Sequence, residues 1–219
     1  MYFEGIKGLI VEIYKVFRDK RFWYSVKYCL WVIIDKLRGV DYIKNAGYNK
    51  TGLDPKVSLV YQATRDTKIL KQILESIGIQ STDCIIDLGC GKGYMLKYFS
   101  RFPFGKIGGV EFSTYLVEIA QDNIRKDKLS KCVVYCEDAA CFTEYDEYNM
   151  IYMFAPFREC VMKEVMMRIR ESLERKHRTI YIIYKIPLCH RIIMESGLFD
   201  SIYDVEGKTE KYRIYKSKG

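Results

Sequence analysis

The residues that could do chemistry begin at one stretch, 84–93, CIIDLGCGKG. An apolar, β-branched run ends in an acid, Asp87, and three glycines follow at every second position: Gly89, Gly91 and Gly93. Tyr94, Met95, Tyr98 and Phe99 then recur with helical spacing, so the pattern predicts strand, tight turn, helix start. Glycines there let the backbone take positive φ and let a ligand approach the main chain closely. Two ligand classes fit such a turn. A dinucleotide fold places a pyrophosphate on it, usually through Gly-x-Gly-x-x-Gly. Asp87 would repel that pyrophosphate and attract a ligand carrying an ammonium group.

At this point the sequence resembles the class I S-adenosylmethionine-dependent methyltransferases, whose first motif is an acid-x-Gly-x-Gly-x-Gly turn. The resemblance runs as pattern from about Tyr61 to the C-terminus. It implies that S-adenosyl-L-methionine is the cofactor, held by Asp87, Gly89, Cys90, Gly91 and Gly93. Open α/β sheets bind ligands beyond the carboxyl ends of their strands. Two more acids fall near such ends. Glu111 closes Gly108-Gly109-Val110-Glu111, where a carboxylate can accept two charge-assisted hydrogen bonds from a ribose diol. Asp138, in Cys136-Glu137-Asp138-Ala139, matches the family acid that accepts from the adenine amino group. Ala139 would add a backbone contact, and Phe112 would pack on the adenine face.

On the acceptor side, the candidate residues are Tyr61, Pro156, Phe157 and Tyr184. Tyr61-Gln62-Ala63-Thr64 is similar to a short segment that many such enzymes place over the methionine end of the cofactor. Phe154-Ala155-Pro156-Phe157 stands where many amino-group methyltransferases carry Asn or Asp, Pro, Pro, aromatic. Ala155 removes the side-chain carbonyl that would orient a nucleobase amine. Methyl transfer from a sulfonium is an in-line displacement that chiefly needs alignment in a dry site. A base is needed only if the nucleophile must lose a proton. Tyr61, Tyr152, Tyr184 and Lys185 are the candidates, with His190 after the fifth strand and His177 before it. The expectation is a methyltransferase acting on an unidentified acceptor, with a small molecule favoured. The alternatives are a protein side chain as acceptor, a non-catalytic cofactor-binding module and a nicotinamide-dependent oxidoreductase.

The elements that must position these residues follow from periodicity. Residues 1–40 predict two amphipathic helices, one striped by Ile6, Leu9, Ile10, Ile13, Tyr14 and Phe17. The other is striped by Phe22, Trp23, Val26, Leu30, Ile33, Ile34 and Leu37. Lysines and arginines are interleaved, which fits a helical appendage or a basic amphipathic contact with a membrane or protein partner. Residues 38–57 predict an irregular connector or lid, and 58–219 the methyltransferase domain. A helix over 66–77 leads in. Strands are expected near 106–111, 132–136, 149–154 and 178–184. Helices are expected over 113–126, 158–174 and 190–196, and a closing hairpin over 199–205 and 210–215. Strand–helix alternation argues a parallel α/β sheet with helices on both faces. The resemblance implies a Rossmann-like seven-stranded sheet in the order 3-2-1-4-5-7-6, its last hairpin antiparallel.

Composition bounds the rest. The 219 residues suit one domain plus an appendage. With 36 Lys and Arg against 28 Asp and Glu, the net charge of +8 is moderate, and a nucleic-acid partner is not expected. The eight cysteines form no Cys-x-x-Cys pair and only two histidines accompany them, so no metal is expected. Several cysteines sit in apolar runs and read as reduced core thiols, which suggests a cytoplasmic protein. No secretory leader is apparent. The longest apolar run near the start, 28–34, is far short of the ~20 residues of a membrane span.

Overall fold

The computed structural model of the chain describes residues 20–43, 67–207 and 211–218. The chain divides into two compact units, Met1–Lys44 and Asn45–Gly219. The first expected helix, most of the connector and Tyr61 lie outside the described residues.

In the first unit, helix α1 runs over Lys20–Leu37. Gly39 lies just past its end with φ of 70°, where a side chain would be strained. The buried Asp35 carboxylate accepts the Tyr42 N–H at 3.1 Å and ties the following turn to the helix.

In the second unit, strands and helices alternate as the periodicity predicts. Helix α2 (Lys68–Ile77) leads in and stops at Gly78, which is left-handed with φ of 77°. Strand β1 (Cys84–Leu88) feeds α3 (Tyr94–Phe99), and β2 (Lys106–Glu111) feeds α4 (Thr114–Lys126). Next come β3 (Cys132–Cys136), a 3-10 turn at Glu144–Glu147, β4 (Met150–Phe154) and α5 (Glu159–Arg175). The chain continues through β5 (Tyr181–Lys185), α6 (His190–Glu195) and the hairpin β6 (Phe199–Glu206) and β7 (Lys211–Ser217). The seven strands are ordered β3-β2-β1-β4-β5-β7-β6. The first five run parallel, and β7 pairs antiparallel with both β5 and β6.

Successive strand residues face opposite sides, and each side has its own core. Ile85, Met150, Tyr152 and Ile183 pack with Leu70, Ile73, Met95 and Phe99 of α2 and α3. Ile86, Leu88, Ile151, Met153 and Ile182 pack with Met162, Val165 and Ile169 of α5.

One expectation needs correction. The fifth strand begins at Tyr181, because Arg178 and Ile180 are otherwise engaged. The Arg178 guanidinium donates to the carbonyls of Tyr145, Tyr148, Ser172 and Lys176. The Ile180 N–H is taken by Ser217 Oγ at 2.9 Å. The cysteine expectation holds for half of them: Cys90 and Cys189 are buried and Cys84 and Cys132 pack against the cores, while Cys29, Cys136, Cys141 and Cys160 are exposed.

The centre of the sheet is tuned to small residues beside the glycine turn. A methyl group on Gly109 would lie 2.7 Å from Cys90 Sγ and 2.9 Å from Leu96 Cδ1. Gly109→Ala should therefore destabilise the fold by about 1–3 kcal/mol through overpacking. Urea unfolding checks this, and a wild-type midpoint would contradict it.

Candidate active site

The turn after β1 is built by three left-handed glycines, with φ of 81° at Gly89, 53° at Gly91 and 79° at Gly93. Its amides are tied down one by one. The Gly89 and Cys90 N–H groups both donate to the Val110 carbonyl, at 2.8 and 3.0 Å. The Gly93 N–H donates to the Cys90 carbonyl at 2.9 Å. The Gly91 N–H donates to Glu111 Oε2 at 2.9 Å. Opposite the turn, Asn123 of α4 donates to the Lys92 carbonyl at 3.0 Å.

Glu111, at the carboxyl end of β2, thus holds the loop that follows β1. Its other oxygen, Oε1, accepts the Ser113 N–H at 2.9 Å. A carboxylate offers about four acceptor sites, so beyond its backbone donors Gly91, Phe112 and Ser113 it can still accept from a ligand hydroxyl. Burial pushes its pKa up, against the lowering effect of the backbone donors at Ser113 and Gly91. Beside it, Ser113 Oγ is buried and makes no hydrogen bond among the described residues, leaving a polar group for a ligand to satisfy.

Asp87, the last residue but one of β1, is buried with no side-chain donor from the described residues. Burial, and then repulsion from Glu111, push its pKa well above the usual carboxylate range. The same surroundings push the Cys90 thiol up. Two acids desolvated in one cleft do not suit a pyrophosphate. They suit a ligand that carries a cation and hydroxyl donors.

The residues expected on the adenine side lie at the next strand ends. Phe112 is 59% exposed, an aromatic face open to a flat partner. Asp138 uses Oδ1 to accept the Ala140 N–H at 2.9 Å, shaping the turn after β3. Ala139 behind it is buried. Glu111, Phe112, Asp138 and Ala139 therefore flank the glycine turn at three consecutive strand ends, β3-β2-β1.

On the other side, the end of β4 closes against the turn. A Cβ on Gly89 would lie 2.7 Å from Pro156 Cβ. Ala155 holds φ of 38° and Ile186, after β5, φ of 52°. These neighbouring strand ends carry strain that L side chains seldom adopt. Lys185 is buried with its Nζ 4.5 Å from the centroid of the Phe154 ring and 5.6 Å from that of Tyr212.

Phe157 and Tyr184 are buried beside these strand ends. Phe157 packs in the core with Leu88, Met162 and Cys189. Tyr184 is fully buried, its hydroxyl accepting the Cys189 N–H at 3.4 Å, and burial pushes its pKa up, away from a proton acceptor. Tyr152 is likewise buried. His190 is bonded through Nδ1 to the Tyr215 hydroxyl at 3.0 Å. His177 is exposed just before β5. Among the described residues, no group of three His, Cys, Asp or Glu could hold a metal ion. Asn123 and Ser113 were missed from the sequence. The signal for Asn123 is a polar residue within the buried stripe Leu116, Val117, Ala120 of α4.

Comparisons with known proteins agree with this geometry. Residues 85–176 match the family described as Methyltransferase domain. An uncharacterized RNA methyltransferase of Chlamydia pneumoniae is 33% identical over 96 residues, 43% of this chain and 24% of that protein. The chain thus spans about a quarter of the length of this curated relative. The ribosomal protein L11 methylase of Lactobacillus delbrueckii subsp. bulgaricus superposes with a TM-score of 0.55 at 11% identity, over 76% of this chain and 84% of that one. An RNA methyltransferase from Salinibacter ruber, in complex with S-adenosyl-L-homocysteine, gives 0.52 at 14% identity, over 71% and 94%. Such low identities speak for the fold alone. The glycine turn, the acids at the strand ends and the methyltransferase-domain match over residues 85–176 make this chain similar to the class I S-adenosylmethionine-dependent methyltransferases, whose fold it shares.

Proposed function

We propose that this chain binds S-adenosyl-L-methionine across the β3-β2-β1-β4 strand ends and methylates a small-molecule acceptor. The observation that carries the binding mode is the Glu111 carboxylate, pinned by Gly91 and Ser113 amides with acceptor capacity to spare for a ribose. Asp87 faces the ligand's ammonium group. Gly89, Cys90, Gly91 and Gly93 let the main chain approach it. Phe112 stacks on the adenine, Asp138 accepts from its amino group, and Ala139 lies against its edge. When bound, the cofactor supplies an activated sulfonium methyl group. The chain's own task is to align the acceptor and keep water away, with Phe154 and Pro156 as the apolar wall.

Two features favour a small acceptor over a nucleobase amine. Ala155 offers no side-chain carbonyl to orient an amine. No described residue is placed as a base, so the nucleophile attacks as a free lone pair or an existing anion. RNA is the second reading, and the 33% identity with an RNA methyltransferase over 96 residues favours it. Incubation with radiolabelled cofactor and fractionated cell extract separates the two. Label in the small-molecule fraction supports the first reading, label in RNA the second, and label in protein neither.

Two binding predictions accompany this reading. Glu111→Ala should weaken S-adenosylhomocysteine binding by about 1.5–3 kcal/mol, read by calorimetric titration. An unchanged affinity would remove the ribose assignment. Asp87 has its pKa raised in the folded chain, so its ionisation costs stability above the unfolded pKa and costs nothing below it. Ligand-free wild type should therefore lose stability as pH rises from the ordinary carboxylate range through the raised value. Over the same window cofactor affinity should rise. Asp87→Asn should melt higher than wild type at neutral pH yet bind the cofactor more weakly. A variant that melts lower, or binds equally well, would contradict the role of Asp87.

A further inference from the structure

Helix α1 carries an exposed apolar stripe. Trp23, Leu30, Ile33, Ile34 and Leu37 are all exposed, Leu37 by 82% and Ile33 by 53%. At 100° per residue they fall within an arc of about 100°, running four turns or roughly 21 Å along the axis. Asp35 lies near the opposite side and is buried there, accepting the Tyr42 N–H. The stripe is therefore not the face with which the helix packs in its own unit. Exposed lysines border it: Lys27 beside Trp23 and Ile34 on one edge, Lys36 beyond Ile33 on the other. No acidic side chain lies on the stripe. Residues 1–44 hold nine Lys and Arg against five Asp and Glu, half of the protein's net charge of +8 in a fifth of its length.

We propose that this stripe docks on the surface of an anionic lipid bilayer. An apolar face of this width, containing a tryptophan and rimmed by lysines, sinks into the boundary between headgroups and acyl chains while the lysines meet lipid phosphates. Nucleic acid would draw the lysines but leave the aliphatic side chains in water. The helix lies along the bilayer; no helix among the described residues is long and apolar enough to cross one. This docking stands apart from the cofactor site and survives if the acceptor reading fails.

The test uses the full chain and vesicles of phosphatidylcholine with about three-tenths phosphatidylserine, beside vesicles of phosphatidylcholine alone. Both tryptophans of the chain, Trp23 and Trp31, lie on this helix, so tryptophan emission reports on it alone. The expected result is co-sedimentation with the anionic vesicles, a blue shift of the emission, and much weaker binding to the neutral ones. Leu30→Glu with Ile34→Glu should abolish binding. Leu37→Glu, at the most exposed position, should weaken it at least about tenfold, and Lys27→Gln about fivefold. Each variant should keep the wild-type melting temperature and S-adenosylhomocysteine affinity. The proposal is overturned if anionic vesicles leave the protein in solution, or if Leu37→Glu binds them as wild type does. It is equally overturned if the stripe instead mediates lipid-free dimers that Leu37→Glu dissociates.

Discussion

The structure depends on a carboxylate that serves as a strut. Glu111 closes β2, yet one of its oxygens holds the amide of Gly91 in the loop after β1. The glycine turn is therefore braced from the neighbouring strand, and its left-handed glycines meet a fixed partner. A second acid, Asp87, is buried close by; burial raises the cost of charge on both, and Glu111 raises it further on Asp87. A fold selected for stability alone would not keep two desolvated acids together. Two desolvated acids beside one glycine turn are the pattern expected where a cationic ligand with hydroxyl donors binds.

The same logic extends along the carboxyl edge. Gly109 is small because Cys90 and Leu96 lean across β2, and Gly89 is small because Pro156 closes over it. The β4 and β5 ends carry their strain at Ala155 and Ile186, next to each other and on the acceptor side. Strain, close backbone approach and buried charge thus share one edge of the sheet, as expected where geometry is held for a ligand rather than for packing.

Much of this was legible in the sequence. Period-2 and period-3.6 patterns placed the strands and helices of the second unit within a few residues. The strand order came from the family resemblance, not from periodicity. The glycine turn and the acids Asp87, Glu111 and Asp138 could be read because each is a chemically unusual residue ending an apolar strand. What could not be read depends on three-dimensional partners. Tyr184 and Phe157 follow strand-end patterns typical of a site, and their depth of burial appears only in the folded structure. Asn123 is distant from the glycine turn in sequence, and its grip on Lys92 appears only when α4 packs there. Arg178 looked like the start of a strand because nothing local reveals that four carbonyls converge on its guanidinium.

The central claim is that Glu111 grips the glycine turn and the cofactor's sugar at the same time. The most direct measurement is a crystal structure of the chain with S-adenosylhomocysteine. The account predicts both ribose hydroxyls within about 3 Å of the Glu111 carboxylate, with its bond from the Gly91 amide kept. A nucleoside bound elsewhere, or a Glu111 side chain swung away from both, would contradict it.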